Sequence, residues 1–176
     1  MQNVVYEEHF PEFITITCYE WLHLIESLEA KAIITESLRY LTEQGKIAVH
    51  AFVIMDNHFH LIWRIRKGYR RPDVQRDFLH YTAKKILKHL KSHQPAVIEK
   101  IEVNLRDRKY QVWQRNSLSV ELRTAKVYEQ KMNYIHDNPV KAGLCKTAED
   151  YRYSSARYYI KNEKNWGFLI HGYGDD

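Results

Sequence analysis

Between Met55 and Arg66 the chain reads Met-Asp-Asn-His-Phe-His-Leu-Ile-Trp-Arg-Ile-Arg, and the period-two alternation of that run restricts the fold more than any other stretch. In an extended strand successive side chains point to opposite faces. Phe59, Leu61, Trp63 and Ile65 therefore share a face that can pack on helices. His58, His60, Ile62, Arg64 and Arg66 share the other, which presents two imidazoles able to bind a metal, followed by two cations. A His-x-His pair alone is common and is more often structural than functional. Its meaning has to come from the rest of the chain.

The segments on either side fit a sheet with crossover helices. Phe13 to Tyr19 alternates with β-branched residues and predicts a first strand. Residues 21 to 43 predict a helix through Leu24, Leu28, Ala32, Thr35 and Leu38, stopped at Gly45. Ile47 to Met55 is apolar on both faces apart from His50, as expected of a central strand. Asp56 and Asn57 then supply a tight turn into the His58 strand. Asp73 is placed as the cap of a helix reaching about Ser92, with Leu79, Ala83, Ile86, Leu87 and Leu90 inward and Lys84, Lys85, Lys88, His89 and Lys91 on its other sides. Residues 93 to 108 show no clean period and are expected to form a loop or lid, and Tyr110 to Arg115 is the candidate fourth strand. The result is an α+β fold, a ferredoxin-like antiparallel sheet with helices packed on one face.

A last helix is expected from about Thr124 to Asn138, closed by Pro139 immediately afterwards and by Gly143 a little later. At about 100° per residue, Ala125, Tyr128, Met132 and Ile135 form its buried stripe. Tyr134 and Asn138 lie off that stripe, four positions apart and hence neighbours, with Val127 and Lys131 beside them. A tyrosine needed for packing belongs on the stripe, as Tyr128 does. Tyr134 is free for a polar task.

The 176 residues are expected to form one domain, with 44% apolar and 28% charged residues placing the chain among globular proteins. A formal charge of +5, from 27 Lys and Arg against 22 Asp and Glu, suits a phosphate-bearing partner. Thirteen tyrosines and four tryptophans offer stacking surfaces for unpaired bases. Cys18 and Cys145 give neither a disulfide framework nor a zinc spacing. No signal peptide and no run of about eighteen apolar residues is present, so an intracellular, soluble, reduced protein without a membrane partner is expected.

Taken together, His58-Phe59-His60 and the block Tyr134-Ile135-His136-Asp137-Asn138-Pro139-Val140-Lys141-Ala142-Gly143-Leu144 resemble the single-tyrosine HUH transposases, most closely the REP-associated tyrosine transposases. Phe13 to Thr17, Trp113-Gln114-Arg115 and Tyr151-Arg152-Tyr153-Ser154-Ser155 resemble further stretches of that family. The tail from about Ile160, with Trp166, Phe168 and Tyr173, is not covered; it is expected on the sheet or on a second subunit. The resemblance implies a ferredoxin-like enzyme that cuts single-stranded DNA beside hairpins with a divalent metal, Mg2+ or Mn2+. It implies Tyr134 as nucleophile and His58, His60 and Asn138 as metal ligands. Arg64, Arg66, Arg115 and Lys131 are the candidate DNA contacts, the partner is single-stranded DNA with a hairpin, and a homodimer and a cytoplasmic, nucleoid-associated location are expected. Where many relatives carry proline this chain has Asp56, which either reshapes the hairpin turn or brings a carboxylate near the metal; Asn116 and Ser117 also depart from the family pattern.

The chemistry asks for such residues on its own terms. A strand broken reversibly needs a nucleophile that keeps the phosphate as an ester, which a tyrosine hydroxyl does. With a solution pKa of about 10 the hydroxyl needs a polarised phosphate and a stabilised leaving oxygen, and a divalent cation supplies both. Two imidazoles and an amide oxygen leave positions open for phosphate oxygens, and the nitrogen pair favours manganese. Two rival readings remain: a nucleic-acid-binding module without catalysis, and Tyr81 as nucleophile, whose neighbour four residues on is the cation Lys85.

Overall fold

The protein is described here from a computed structural model covering residues 9–172. Its centre is a four-stranded antiparallel sheet of β1 (Glu12–Thr17), β2 (Ile47–Ile54), β3 (His58–Ile65) and a last strand, Leu118–Glu121, in the order β2, β3, β1, Leu118–Glu121. With α1 (Leu28–Glu43) and α2 (Arg71–His93) as crossovers, this is the expected α+β, ferredoxin-like arrangement. A short helix α3 (Pro95–Ile98) precedes a separate two-stranded ribbon, β4 (Glu102–Leu105) and β5 (Arg108–Tyr110), so that the sheet's last strand becomes β6. The stretch expected as a loop or lid is therefore built of short helical and strand elements. α4 (Ala125–Lys141) and α5 (Ala156–Lys161) complete the chain.

The sheet buries both faces. Ile14, Ile16, Phe59, Leu61, Trp63 and Ile65 pack with Ile34, Leu38, Phe78, Ile86 and Leu90 of α1 and α2. On the opposite face Phe13, Ala51, Val53 and Ile62 meet Tyr128, Met132 and Ile135 of α4. Helices on one face thus describes α1 and α2, while α4 covers the other.

Several sequence expectations are corrected, each for a local reason. The first helix begins at Leu28 rather than residue 21, because Glu20 and Trp21 have φ of 50° and 57° and the Ser27 hydroxyl accepts from Ala30 N to start it. Asp73 is not the cap of α2; Arg70 holds that position and Pro72 occupies the first turn. β2 is an edge strand of the sheet, not a central one, yet all of it is buried. A register shift between Val49 and Ala51 reverses the alternation, so that Val49 and Phe52 both face α1 and α2. Its outer edge is covered by Tyr153 to Ser155 and by Leu169 and Ile170. The tail therefore packs on the sheet, where Trp166 and Phe168 flank Phe52; Tyr173 lies outside the described residues.

The run Tyr110 to Arg115 is not the fourth strand. Trp113 makes one bridge to Cys18, and its indole Nε1 donates to Thr82 at 3.1 Å, which pulls the segment down onto α2. Pro139 does not close α4, which continues to Lys141; the expected stop at Gly143 holds, with a φ of 71°. Ala125 is exposed and drops out of the buried stripe, while His136 and Pro139 join it. Cys18 and Cys145 are free thiols. Among the described residues no helix is long and apolar enough to cross a membrane.

Candidate active site

Register places the first group of residues. β1 runs beside β3 with Thr17 opposite His58, Thr15 opposite His60 and Phe13 opposite Ile62, so these side chains share a face. The two imidazoles stand with ring centroids 4.9 Å apart at 72° to one another. Phe13 stacks on His60 at 5.4 Å.

Each histidine is pinned through Nδ1. Thr15 Oγ1 lies 2.8 Å from His60 Nδ1, and Asn57 Oδ1 lies 2.7 Å from His58 Nδ1. Asn57 Oδ1 can only accept, so His58 donates from Nδ1 and leaves Nε2 with a free lone pair. The Thr15 hydroxyl accepts in the same way if His60 carries its proton on Nδ1, the tautomer that suits an Nε2 ligand. Burial acts in the same direction by lowering both pKa values. His60 falls from 6.5 to about 3, through desolvation first and then the charges of His58 and Lys131. His58 is lowered by desolvation, opposed by a hydrogen bond with Asn138. Both rings are neutral at pH 7 and able to coordinate.

α4 supplies the second group. Seating Tyr128, Met132 and Ile135 in the core turns Tyr134 and Asn138 along the helix edge toward the histidines. The Tyr134 ring is 42% exposed and meets His60 edge-on at 5.1 Å, with Phe13 at 5.8 Å. Asn138 Nδ2 lies 3.3 Å from His60 Nε2. Its side chain therefore faces the imidazoles instead of capping its own helix. Lys131 Nζ sits 4.6 Å from the Phe13 ring and 5.6 Å from that of Tyr134, bringing positive charge to the mouth of the site.

The donor set fits a divalent cation. His58 Nε2, His60 Nε2 and the Asn138 amide oxygen, once that amide is turned over, make two nitrogens and one oxygen. Among the described residues no group of three His, Cys, Asp or Glu offers an alternative centre. Asp56 does not add a carboxylate here, because Lys31 holds it at 2.6 Å.

One anchor ties α4 to β2 through Ser155, and a second holds the segment after α4 on the same strand. His136 Nε2 lies 2.8 Å from Ser155 Oγ, which also accepts from Phe52 N at 3.0 Å, and Tyr151 donates to Ile54 O at 2.8 Å. The Tyr151 to Ser155 segment thereby sets the position of Tyr134 and Asn138.

The remaining sequence candidates are scattered. Arg64 shares the histidine face but lies about 13 Å along the strand from His60, at roughly 3.3 Å per residue, and Arg66 follows the end of β3. Arg115 is exposed beside Asp107 at 3.9 Å, in a groove against α2. Only Lys131 of the four joins Tyr134. Tyr81 lies on α2, across the sheet from the histidines, with Lys85 over its ring at 5.4 Å. Sequence reasoning missed Thr15 and Trp21. Thr15 was hidden because only strand register sets it against His60. Trp21 reaches His58 edge-on at 5.8 Å from a left-handed backbone, a conformation costing about 1–2 kcal/mol per non-glycine residue.

No family model matches the sequence, and no curated protein matches it. Among solved structures the chain is similar to a REP-associated tyrosine transposase bound to a REP hairpin, at 18% identity and a TM-score of 0.62, over 97% of this chain and 88% of that one. It is also similar to a candidate transposase from Deinococcus radiodurans R1, at 14% identity and a TM-score of 0.46, over 78% of this chain and 95% of that one. The first likeness, spanning nearly the whole of both chains, shows that this protein shares the fold of the REP-associated tyrosine transposase.

Proposed function

We propose that the protein is a transposase of the HUH type, a metal-dependent endonuclease that nicks and rejoins single-stranded DNA near hairpins through a 5′-phosphotyrosine. The observation that carries this reading is the meeting of Tyr134, His58, His60 and Asn138, drawn from two distant segments, on one half-open patch. The hairpin in the structural relative supports the choice of substrate.

A bound divalent cation, Mn2+ or Mg2+, would polarise the scissile phosphate and stabilise the leaving 3′ oxygen. The protein's own groups do the rest. Thr15 and Asn57 orient the imidazoles, and Phe13 and the α4 stripe exclude water from their inner side. Tyr134, at the exposed rim, presents its hydroxyl for attack on phosphorus: the oxygen to phosphorus bond forms as the phenol gives up its proton to solvent, and the bond to the 3′ oxygen breaks, that oxygen taking up a proton to leave as a 3′ hydroxyl. Lys131 brings a cation to where phosphate oxygens gather. Reversal of the step by a 3′ hydroxyl rejoins the strand without a nucleotide cofactor.

The test is covalent capture on labelled hairpin-bearing single strands with manganese. Wild type should yield a protein and DNA adduct, Tyr81→Phe should retain it, and Tyr134→Phe should lose it while keeping fold and DNA binding, since only one exposed oxygen is removed. An adduct that survives Tyr134→Phe refutes the assignment of the nucleophile. DNA binding with no adduct from wild type, across many substrates, would instead make this a binding module.

A further inference from the structure

On the α2 side of the sheet a groove of about 690 Å³ runs between α2 and residues 107–117. Leu79, Ala83, Leu87 and Val112 give it an apolar floor. Arg76, Lys84, Arg108, Lys109 and Arg115 line its rim against one carboxylate, Asp107, which Arg108 and Arg115 share. Asp73 and Asp77 engage Arg76 from outside, and Glu102 stands 3.7 Å from Lys109. These are exposed pairs, of the kind that contributes little and that a phosphate can displace.

The groove is tied to the histidines through Gln114. That residue donates from its backbone N to Thr17 O at 2.7 Å, and its side chain accepts from Glu20 N at 3.3 Å. Thr17 is the strand partner of His58, and Glu20 precedes Trp21. Trp21 is 59% exposed, beside His58, on two successive residues of left-handed backbone. Core packing does not account for an indole held out in this way. A flat aromatic surface next to a cationic groove with an aliphatic floor matches a strand whose bases are unpaired, because base faces need stacking partners and the sugar-phosphate chain needs cations. A duplex keeps its base faces to itself.

We propose that Trp21 and this groove form a track for single-stranded nucleic acid: one base stacks on the Trp21 indole at the metal end, and the phosphates beyond it lie along Lys84, Arg108, Lys109 and Arg115. The track deepens the proposed function by assigning where the strand leaving the active site runs, and it rests on that reading for its substrate class.

The experiment uses the full chain and a labelled oligothymidylate strand, which forms no hairpin, followed by fluorescence anisotropy at several salt concentrations. Trp21→Ala should weaken binding about fivefold to a hundredfold, the effect of removing one base stack, with Trp21→Phe recovering most of the loss. The triple variant Arg108→Ser, Lys109→Ser, Arg115→Ser should lower the slope of log affinity against log salt by about 2, at roughly 0.7 per single-strand phosphate contact. Thermal unfolding of each variant checks its fold, and recovery in Trp21→Phe separates stacking from misfolding. The track is overturned if wild type does not bind oligothymidylate. It is equally overturned if Trp21→Ala and the triple variant bind it as wild type does, or if a duplex of equal length or a polyglutamate competes better than the single strand. Failure of the proposed function is read separately, as absence of the Tyr134 adduct on hairpin strands.

Discussion

Replacing Thr15 by valine keeps a β-branched residue in β1 and removes one hydroxyl. That hydroxyl is 2.8 Å from Nδ1 of His60, a ring only 4% exposed, so water cannot readily take its place. Leaving a buried polar group unpaired costs about 1–3 kcal/mol. At roughly 2–4 °C per kcal/mol for a domain of this size, the metal-free protein should melt several degrees lower. The imidazole also loses the contact that fixes its ring and tautomer. Losing such a supporting contact typically weakens metal binding about 10- to 100-fold, or roughly 1.4–2.7 kcal/mol. Calorimetric titration with Mn2+, beside thermal unfolding in chelator, measures both effects. Thr17→Val is the matched control: Thr17 stands opposite His58, but Asn57 holds that ring, so manganese affinity should not change. If Thr15→Val binds manganese as wild type does while His60→Ala does not bind, Thr15 has no part in the site and the Nε2 ligand geometry is wrong.

Three further outcomes are expected. Asn138→Leu should weaken manganese-dependent cleavage and manganese binding while shifting the thermal midpoint little, since the side chain is only half-buried; unchanged metal affinity would remove Asn138 from the ligand set. Ser155→Ala leaves buried His136 Nε2 and Phe52 N without their partner, so it should cost about 1–3 kcal/mol in urea unfolding, and a loss below a few tenths would show that this anchor is idle. Metal-free stability should also fall with acid. Burial lowers His60 to about 3 and His136 to about 4 from 6.5, so the unfolded chain takes up protons that the folded one refuses. Their contribution is complete above pH 6.5 and is lost as pH falls toward 4 and then 3, at up to about 1.4 kcal/mol per pH unit for each group. A flat urea midpoint between pH 7 and pH 5 would contradict it.

The alternation from Phe59 to Ile65 and the helical spacing in α1, α2 and α4 were legible in the sequence because each element buries one face, and periodicity records burial. β2 misled for the same reason. Its apolar residues on both faces suggested a central strand, whereas it is an edge strand covered by α4, α1 and the returning tail, with a register shift that periodicity does not encode. The fourth strand was misplaced because Val112 and Trp113 look like strand residues but are drawn to α2, while the short run Leu118–Glu121 carries little pattern of its own. In the candidate site, His58, His60, Tyr134 and Asn138 could be named from spacing and resemblance. Thr15, Trp21 and the His136 to Ser155 anchor could not, because each depends on a pairing between segments far apart in the chain.

The way the sheet ends has a consequence for self-association. An open strand edge is a template on which another chain can add, and proteins commonly cover or shorten such edges. Along β2 the outward backbone groups are already taken: Val49 O by Ile170 N, His50 O by the Tyr159 hydroxyl, Phe52 O by Ser155 N and Ile54 N by Tyr153 O. A second molecule cannot extend the sheet on that side without first stripping away the tail. The opposite edge is β6, only four residues long and ending in Glu121, which limits a ladder there to a few pairs. Among the described residues the main sheet thus leaves only the four-residue β6 edge open to another copy, and strand addition along β2 is blocked.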